Sequence, residues 1–134
     1  MRKVSRKGLI KRLDTVFSEY IRKKNADSKG YVTCITSGRK LHYSEVDAGH
    51  FISRKEMSTR WHEDNVHPQS RYDNRYRYGK QYEYGLALDR KKKGLAKRLY
   101  KLSKETVKYS VNDLQDLLQK YKKLLQVENK RLSL

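Results

Sequence analysis

What this 134-residue chain has little of narrows it before any motif is read. It holds one cysteine, so no disulfide can close within the chain and no ordinary cysteine zinc site can form in it. A lone thiol also suits a reducing compartment. There is one proline, Pro68, and hydrophobic residues make up only 36%, with a mean hydropathy of −1.05, so any core is small. No apolar run approaches the roughly 18 residues of a membrane span, and no signal-peptide apolar region is expected. Acids are scarce as well: 15 Asp and Glu stand against 33 Lys and Arg, a formal net charge of +18. A compact chain with that balance repels itself unless a polyanion neutralises it. Nucleic acid is the default partner, because each phosphate contact releases counterions; an anionic membrane surface is the weaker alternative.

The eleven tyrosines are many for this length, and several stand among arginines. Tyrosine beside arginine can stack on bases and pair with phosphates, although tyrosine is also a common partial-core residue. The length fits one compact unit, read as an N-terminal amphipathic helix (1–30), a central core (31–80) and a basic linker with C-terminal helices (81–134).

Residues 5–24 place Leu9, Ile10, Leu13, Val16, Phe17, Tyr20 and Ile21 at three- and four-residue spacing, the pattern of an amphipathic helix. Tyr31 to Thr36 is β-rich, Ser37-Gly38-Arg39-Lys40 is a turn, and Leu41-His42-Tyr43 begins a return strand. Residues 54–64 read as a loop with one short helical turn anchored by Trp61. A second helix is predicted from Pro68, since proline suits the first turn. Within it Ser70, Asp73, Asn74 and Arg77 would share one polar face. Leu95, Leu99 and Leu102 mark a helix over 95–105. Ser110-Val111-Asn112-Asp113 is a capping box opening another, with Val111, Leu114, Leu118, Tyr121 and Leu125 apolar. That stripe spans about two heptads, too short for a coiled coil, so packing on the 95–105 helix is expected over dimerisation. The tail after Val127 is expected to fray.

The stretch Val46-Asp47-Ala48-Gly49-His50-Phe51-Ile52-Ser53-Arg54 is the one the chain is organised around. It reads as a strand end with a carboxylate and an imidazole three residues apart. In an ideal strand those two side chains point to opposite faces, and Gly49 offers a bulge that would re-aim one of them. Either Asp47 and His50 share one site, or this is a strand-end turn with a solvated acid.

Taken with Cys34-x-x-Ser37, Asn65-x-His67 and Ser70-x-x-Asp73-Asn74, the order resembles the His-Asn-His (ββα-metal) endonucleases. More closely, DAGHFISR followed by NVHPQ-S-x-x-D-N resembles the phage NinG/Rap recombination proteins, most strongly over residues 15–85. The resemblance implies an α+β fold, a small ββα-metal nuclease core flanked by an N-terminal helix and C-terminal helices. It implies a metal-dependent endonuclease for branched recombination intermediates such as Holliday junctions and D-loops. His50 matches the general base, Asn65 the asparagine bracing the central turn, and Asp47 and Asn74 the metal ligands. His67 matches the NVH histidine; ligand, phosphate contact and helix-start residue all stay open for it. Oxygen ligands suit Mg²⁺ or Mn²⁺, and a neutral imidazole can take a proton from water near neutral pH. Arg54, Arg71, Arg75, Arg77, Lys80, Lys91, Lys92 and Lys93 are the expected phosphate contacts. The partners implied are branched DNA and phage or host recombination proteins, in the cytoplasm of a host cell, with a homodimer left open and no membrane.

One departure from the family pattern matters. Relatives hold a structural zinc with four knuckle cysteines, where this chain has Cys34, Ser37, Ser70 and Asp73. Serine hydroxyls are poor zinc ligands, so no structural zinc is expected. A Ser37–Ser70–Asp73 hydrogen-bond cluster would take its place, or Asp73 could join the catalytic ion. The competing class is a non-catalytic branched-DNA-binding protein that kept a degenerate nuclease fold.

Overall fold

The computed structural model describes residues 4–134, so the first three residues of segment 1–30 lie outside the described residues. Helix α1 (Arg6–Lys24) is capped by Ser5, whose hydroxyl accepts from Gly8 N–H. It leads into strands β1 (Tyr31–Thr33) and β2 (Lys40–His42), then β3 (Val46–His50), helix α2 (Met57–Arg60) and strand β4 (Val66–Ser70). Helices α3 (Arg71–Tyr76), α4 (Gln81–Lys91), α5 (Leu95–Ser103) and α6 (Val111–Arg131) complete the chain. The fold is α+β, with two separate antiparallel ribbons, β1–β2 and β3–β4, and helices at both ends. No described helix is long and apolar enough to cross a membrane.

The main core lies between the two ends of the chain. Leu9, Leu13, Phe17, Tyr20 and Ile21 of α1 pack on Leu114, Leu118 and Tyr121 of α6, with Trp61 and Val66 closing the cluster. Each fully buried side chain of this kind contributes about 1.5–3 kcal/mol. The capping box at Ser110 forms in both directions, so α6 starts where its sequence says. Its partner is not the expected one. The α6 stripe packs on α1 rather than on α5, whose Leu95 and Leu99 instead join Tyr84 and Leu88 of α4. Nor does the tail fray at Val127: helix continues to Arg131, held by an Arg131 bond to Lys23 O of α1.

The second correction concerns Pro68, which lies in β4 and not in a helix. Phe51 N–H donates to Asn65 O. That bond fixes the phase of the ladder so that Ala48↔Pro68 is a pair exchanging no bonds. A proline N is harmless there, and the outward Pro68 carbonyl instead accepts from Ile35 N–H of the first ribbon. The helix begins three residues later at Arg71, with the Ser70 hydroxyl accepting from Asp73 N–H. Arg77 therefore falls outside α3, and the four-residue polar face does not exist as one helical stripe. The β-run also ends at Thr33, because Cys34–Ser37 forms the turn of the hairpin. The basic run begins inside α4, with Arg90 and Lys91 in its last turn.

The register of β3 on β4 is continuous from Val46 to His50, so Gly49 makes no bulge. Its role is close approach. A Cβ there would lie 2.1 Å from the Gln69 side-chain oxygen, so a larger residue would force the buried Gln69 out of place.

Candidate functional site

Regular alternation sends Asp47 and His50 to opposite faces of β3, yet both reach one cavity of about 410 Å³. Asp47, His50, Arg54 and Asn74 line it together with Asp14, Phe17 and Ser18 of α1. The missing bulge is unnecessary because β4 covers only one edge of β3, and side chains from both faces can converge past the other. Strand β3, the 51–65 loop, strand β4 and α3 follow one another directly, and α3 brings Asn74 back over Asp47.

His50 is held by a backbone carbonyl. Its Nε2 lies 2.9 Å from Arg60 O, and a carbonyl can only accept, so Nε2 carries the proton. That leaves Nδ1 as a lone pair. Burial pushes the His50 pKa down and the Arg60 carbonyl only partly offsets this, so the ring is neutral at pH 7. The carbonyl is positioned by Asp14. Its carboxylate accepts from Arg60 Nε at 3.0 Å and Nη2 at 2.5 Å, and from Trp61 Nε1 at 2.9 Å. Arg54 lies 3.8 Å from the same carboxylate.

Asp47 accepts from Asn74 Nδ2 and, bidentately, from Arg75, all at 2.9 Å. Arg71 stands 3.9 Å away. Burial raises the Asp47 pKa, but the bonds from Arg75 and Asn74 outweigh it and hold the carboxyl below its usual range. The side chain is ionised at neutral pH. Among the described residues no group of three or more His, Cys, Asp and Glu side chains could hold a metal ion. The donor set does fit a hard divalent cation that keeps several waters: an ionised carboxylate and an amide group meet at an open cavity. Arg75 closes both oxygens of Asp47, so a cation would reach the carboxylate only with this exposed side chain displaced.

Other expected site residues lie elsewhere. Asn65 is wholly buried and braces the 51–65 loop, accepting from Ile52 N–H and donating to Ile52 O and Thr59 O. It touches none of the cavity. His67 is not brought there either; it lines a separate cavity with Lys24, Glu63, Asp64, Lys91 and Lys92. Tyr84 donates to Gly49 O at 2.6 Å and so accepts from His67 Nδ1–H at 3.2 Å. Lys91 and Lys92 thus belong to the His67 side, with Lys92 3.7 Å from Asp64, and Lys93 offers its carbonyl to Arg98. Arg77 sits over the Tyr72 ring and Lys80 in a left-handed turn.

Burial lowers the His67 pKa to about 4, helped by Lys91. A folded pKa below the unfolded value of about 6.5 means that the unfolded chain binds the extra proton between those limits. Stability is therefore full above pH 6.5 and falls as pH drops, by about 3 kcal/mol at pH 4. Urea midpoints measured from pH 7 to 4 should show this slope in the wild type and a much shallower one in His67→Gln. Equal slopes would remove His67 as the cause.

The four knuckle positions do meet, by hydrogen bonds. Cys34 Sγ accepts from Ser70 N–H at 3.1 Å and Ser37 N–H at 3.4 Å. Burial raises the thiol pKa, but the Ser37 and Thr36 side chains, followed by the Ser70 and Ser37 backbone N–H groups, bring it down to about 7. Asp73 accepts from Thr36 Oγ1 at 2.7 Å. The Ser37 hydroxyl makes no bond to Ser70 or Asp73: it accepts from Arg39 N–H and stays beside the Cys34 thiol, and Thr36 makes the bond to Asp73. One thiol and one carboxylate do not fit a tetrahedral structural zinc, and Asp73 is absent from the Asp47 cavity.

Sequence reasoning passed over Asp14, Arg60, Gln69 and Tyr84. Asp14 had a signal, as the first acidic residue of the chain, standing between the apolar Leu13 and Phe17.

The sequence matches the family described as Bacteriophage Lambda NinG protein over residues 2–131. That span covers nearly all of the chain, which therefore belongs to this family. No curated protein and no solved structure matches it.

Proposed function

We propose that this member of the NinG family is a metal-dependent endonuclease of phage recombination that hydrolyses phosphodiester bonds in branched DNA, acting in the host cytoplasm. The observation that carries the reading is the arrangement at His50: a neutral ring with Nε2 tied to Arg60 O, beside an ionised Asp47 and Asn74, on one open cavity. Hydrolysis needs a water in line with the scissile phosphate and a base to take its proton. His50 Nδ1 is that base. Asp47 and Asn74 would hold Mg²⁺ or Mn²⁺, which stabilises charge developing on the phosphate when bound. No structural zinc is part of this proposal. The backbone carbonyl of Arg60 steadies the imidazolium formed, and Asp14 holds that carbonyl in place. Arg54, Arg71 and Arg75 meet the incoming phosphates; a phosphate that draws Arg75 off Asp47 opens the carboxylate to the ion.

One observation favours the second reading, a non-catalytic binder of branched DNA: Arg75 closes both oxygens of Asp47. Labelled four-way junction and linear duplex, each with Mg²⁺, Mn²⁺ or chelator, separate the two. The enzyme cuts junction only with metal, and Arg75→Ala still cuts. Tight junction binding with no cleavage under any metal would leave the binder.

A further inference from the structure

Beside the His50 cavity lies a second groove of about 640 Å³, which shares His50 and Asn74 with it. Its wall carries two exposed aromatic rings, Tyr78 and Tyr100, 94% and 56% exposed. A chain that is only 36% hydrophobic displays these rings at the mouth of its polar site. Tyr78 is also held in an unfavourable conformation. Tyr78, Gly79 and Lys80 follow one another with φ of 54°, 75° and 50°, a left-handed conformation that is strained for the two non-glycine residues. The turn is pinned from below by the buried Gln69, whose Nε2 donates to Gly79 O at 2.8 Å. Tyr100 comes from α5, with Lys104 Nζ 4.6 Å from its ring centre. The charged side chains of the groove wall are Glu56 and Lys104, one of each sign apart from the neutral His50. A phosphate track would be uniformly basic; balanced charge with two rings fits the face of a base.

We propose that Tyr78 and Tyr100 stack an unpaired base next to the His50 cavity, so that the chain selects DNA with a nucleotide displaced from the duplex. This rests on the nuclease reading of that cavity and names what the site selects. Base–aromatic stacking tolerates any sequence, since every base has a π-face. Forks and D-loops supply such nucleotides, a four-way junction does so when a pair at its branch point opens, and continuous duplex does not.

The test uses the full chain in chelator, which keeps it independent of cleavage. A fluorescent 2-aminopurine is placed as the first unpaired base of a forked duplex, with a fully paired duplex as control. Wild type should quench the unpaired probe. Tyr78→Ala and Tyr100→Ala should each abolish most of the quench and weaken fork binding about tenfold, with duplex affinity unchanged within about twofold. Tyr78→Phe and Tyr100→Phe should retain the quench. Loss of affinity equal on fork and duplex, or no loss on either, overturns the proposal and gives the rings to another partner. Failure of the nuclease reading shows separately, as quenching without metal-dependent cleavage.

Discussion

His50→Ala should lower the rate of DNA cleavage by about 10²–10⁴-fold, the usual contribution of a positioned general base, while junction binding in chelator stays within about twofold. Binding should survive because the ring is only partly exposed and the proposed phosphate contacts are arginines on other elements. The pH profile gives the sharper reading. Burial depresses the His50 pKa below 6.5, and the bond to Arg60 O only partly restores it. The base is active when neutral, so the rate should hold level from pH 8 through 6.5 and fall only below that. The same shift carries a stability sign: a depressed histidine pKa stabilises the fold above pH 6.5, and this is lost as pH falls through the folded value. A cleavage rate already halved at pH 7 would contradict a desolvated His50. So would a His50→Ala variant that cuts at the wild-type rate.

How much of this was legible in the sequence depends on whether the cause was local. Helix α1 and the box at Ser110 were, because periodicity and capping act within a few residues. The convergence of Asp47, His50 and Asn74 was legible through the motif, though not by the route expected. Gly49 suggests a bulge that would bring the side chains together, whereas a free strand edge lets both faces reach one cavity. Pro68 lies in a strand, and the sequence does carry signals for that. The residue before a proline avoids helix, which marks His67 as extended, and Ser70-x-x-Asp73 repeats the capping pattern of Ser110-x-x-Asp113. Ser70 is the cap of α3 and not part of its face, while Asp73 sits in the first turn and turns its carboxylate to Thr36. The partner of α6 was not legible at all. Helices α5 and α1 offer similar apolar stripes, and only the tertiary fold chooses between them. His67 and Lys91–Lys92 illustrate the same limit: the strand carries them to another cavity, which spacing along the chain cannot show.

On the proposed nuclease reading Asp14 would combine a stability role with a positioning one, and its variants should show both. Asp14→Ala should cost about 3 kcal/mol, since removing one member of a largely buried pair strands the other charge. Arg60 and Trp61 Nε1 both lose their acceptor, and the Arg60 side chain is only 17% exposed. Asp14→Asn keeps the shape and an oxygen for one of the donors, so it should cost less and serves as the catalytic probe. Asp14 does not hold His50 directly; it holds Arg60, whose carbonyl takes His50 Nε2–H. Loosening Arg60 should lower kcat more than it raises KM for junction DNA. A second readout excludes a purely structural role. Burial is the main cause of the lowered His50 pKa, and the Asp14 charge acts the other way, raising it. Asp14→Asn removes that charge, so the acid limb of the rate should move to lower pH. A variant with unchanged urea midpoint, unchanged kcat and an unmoved acid limb would separate Asp14 from His50. If the limb moves at full kcat, the charge matters and the positioning does not.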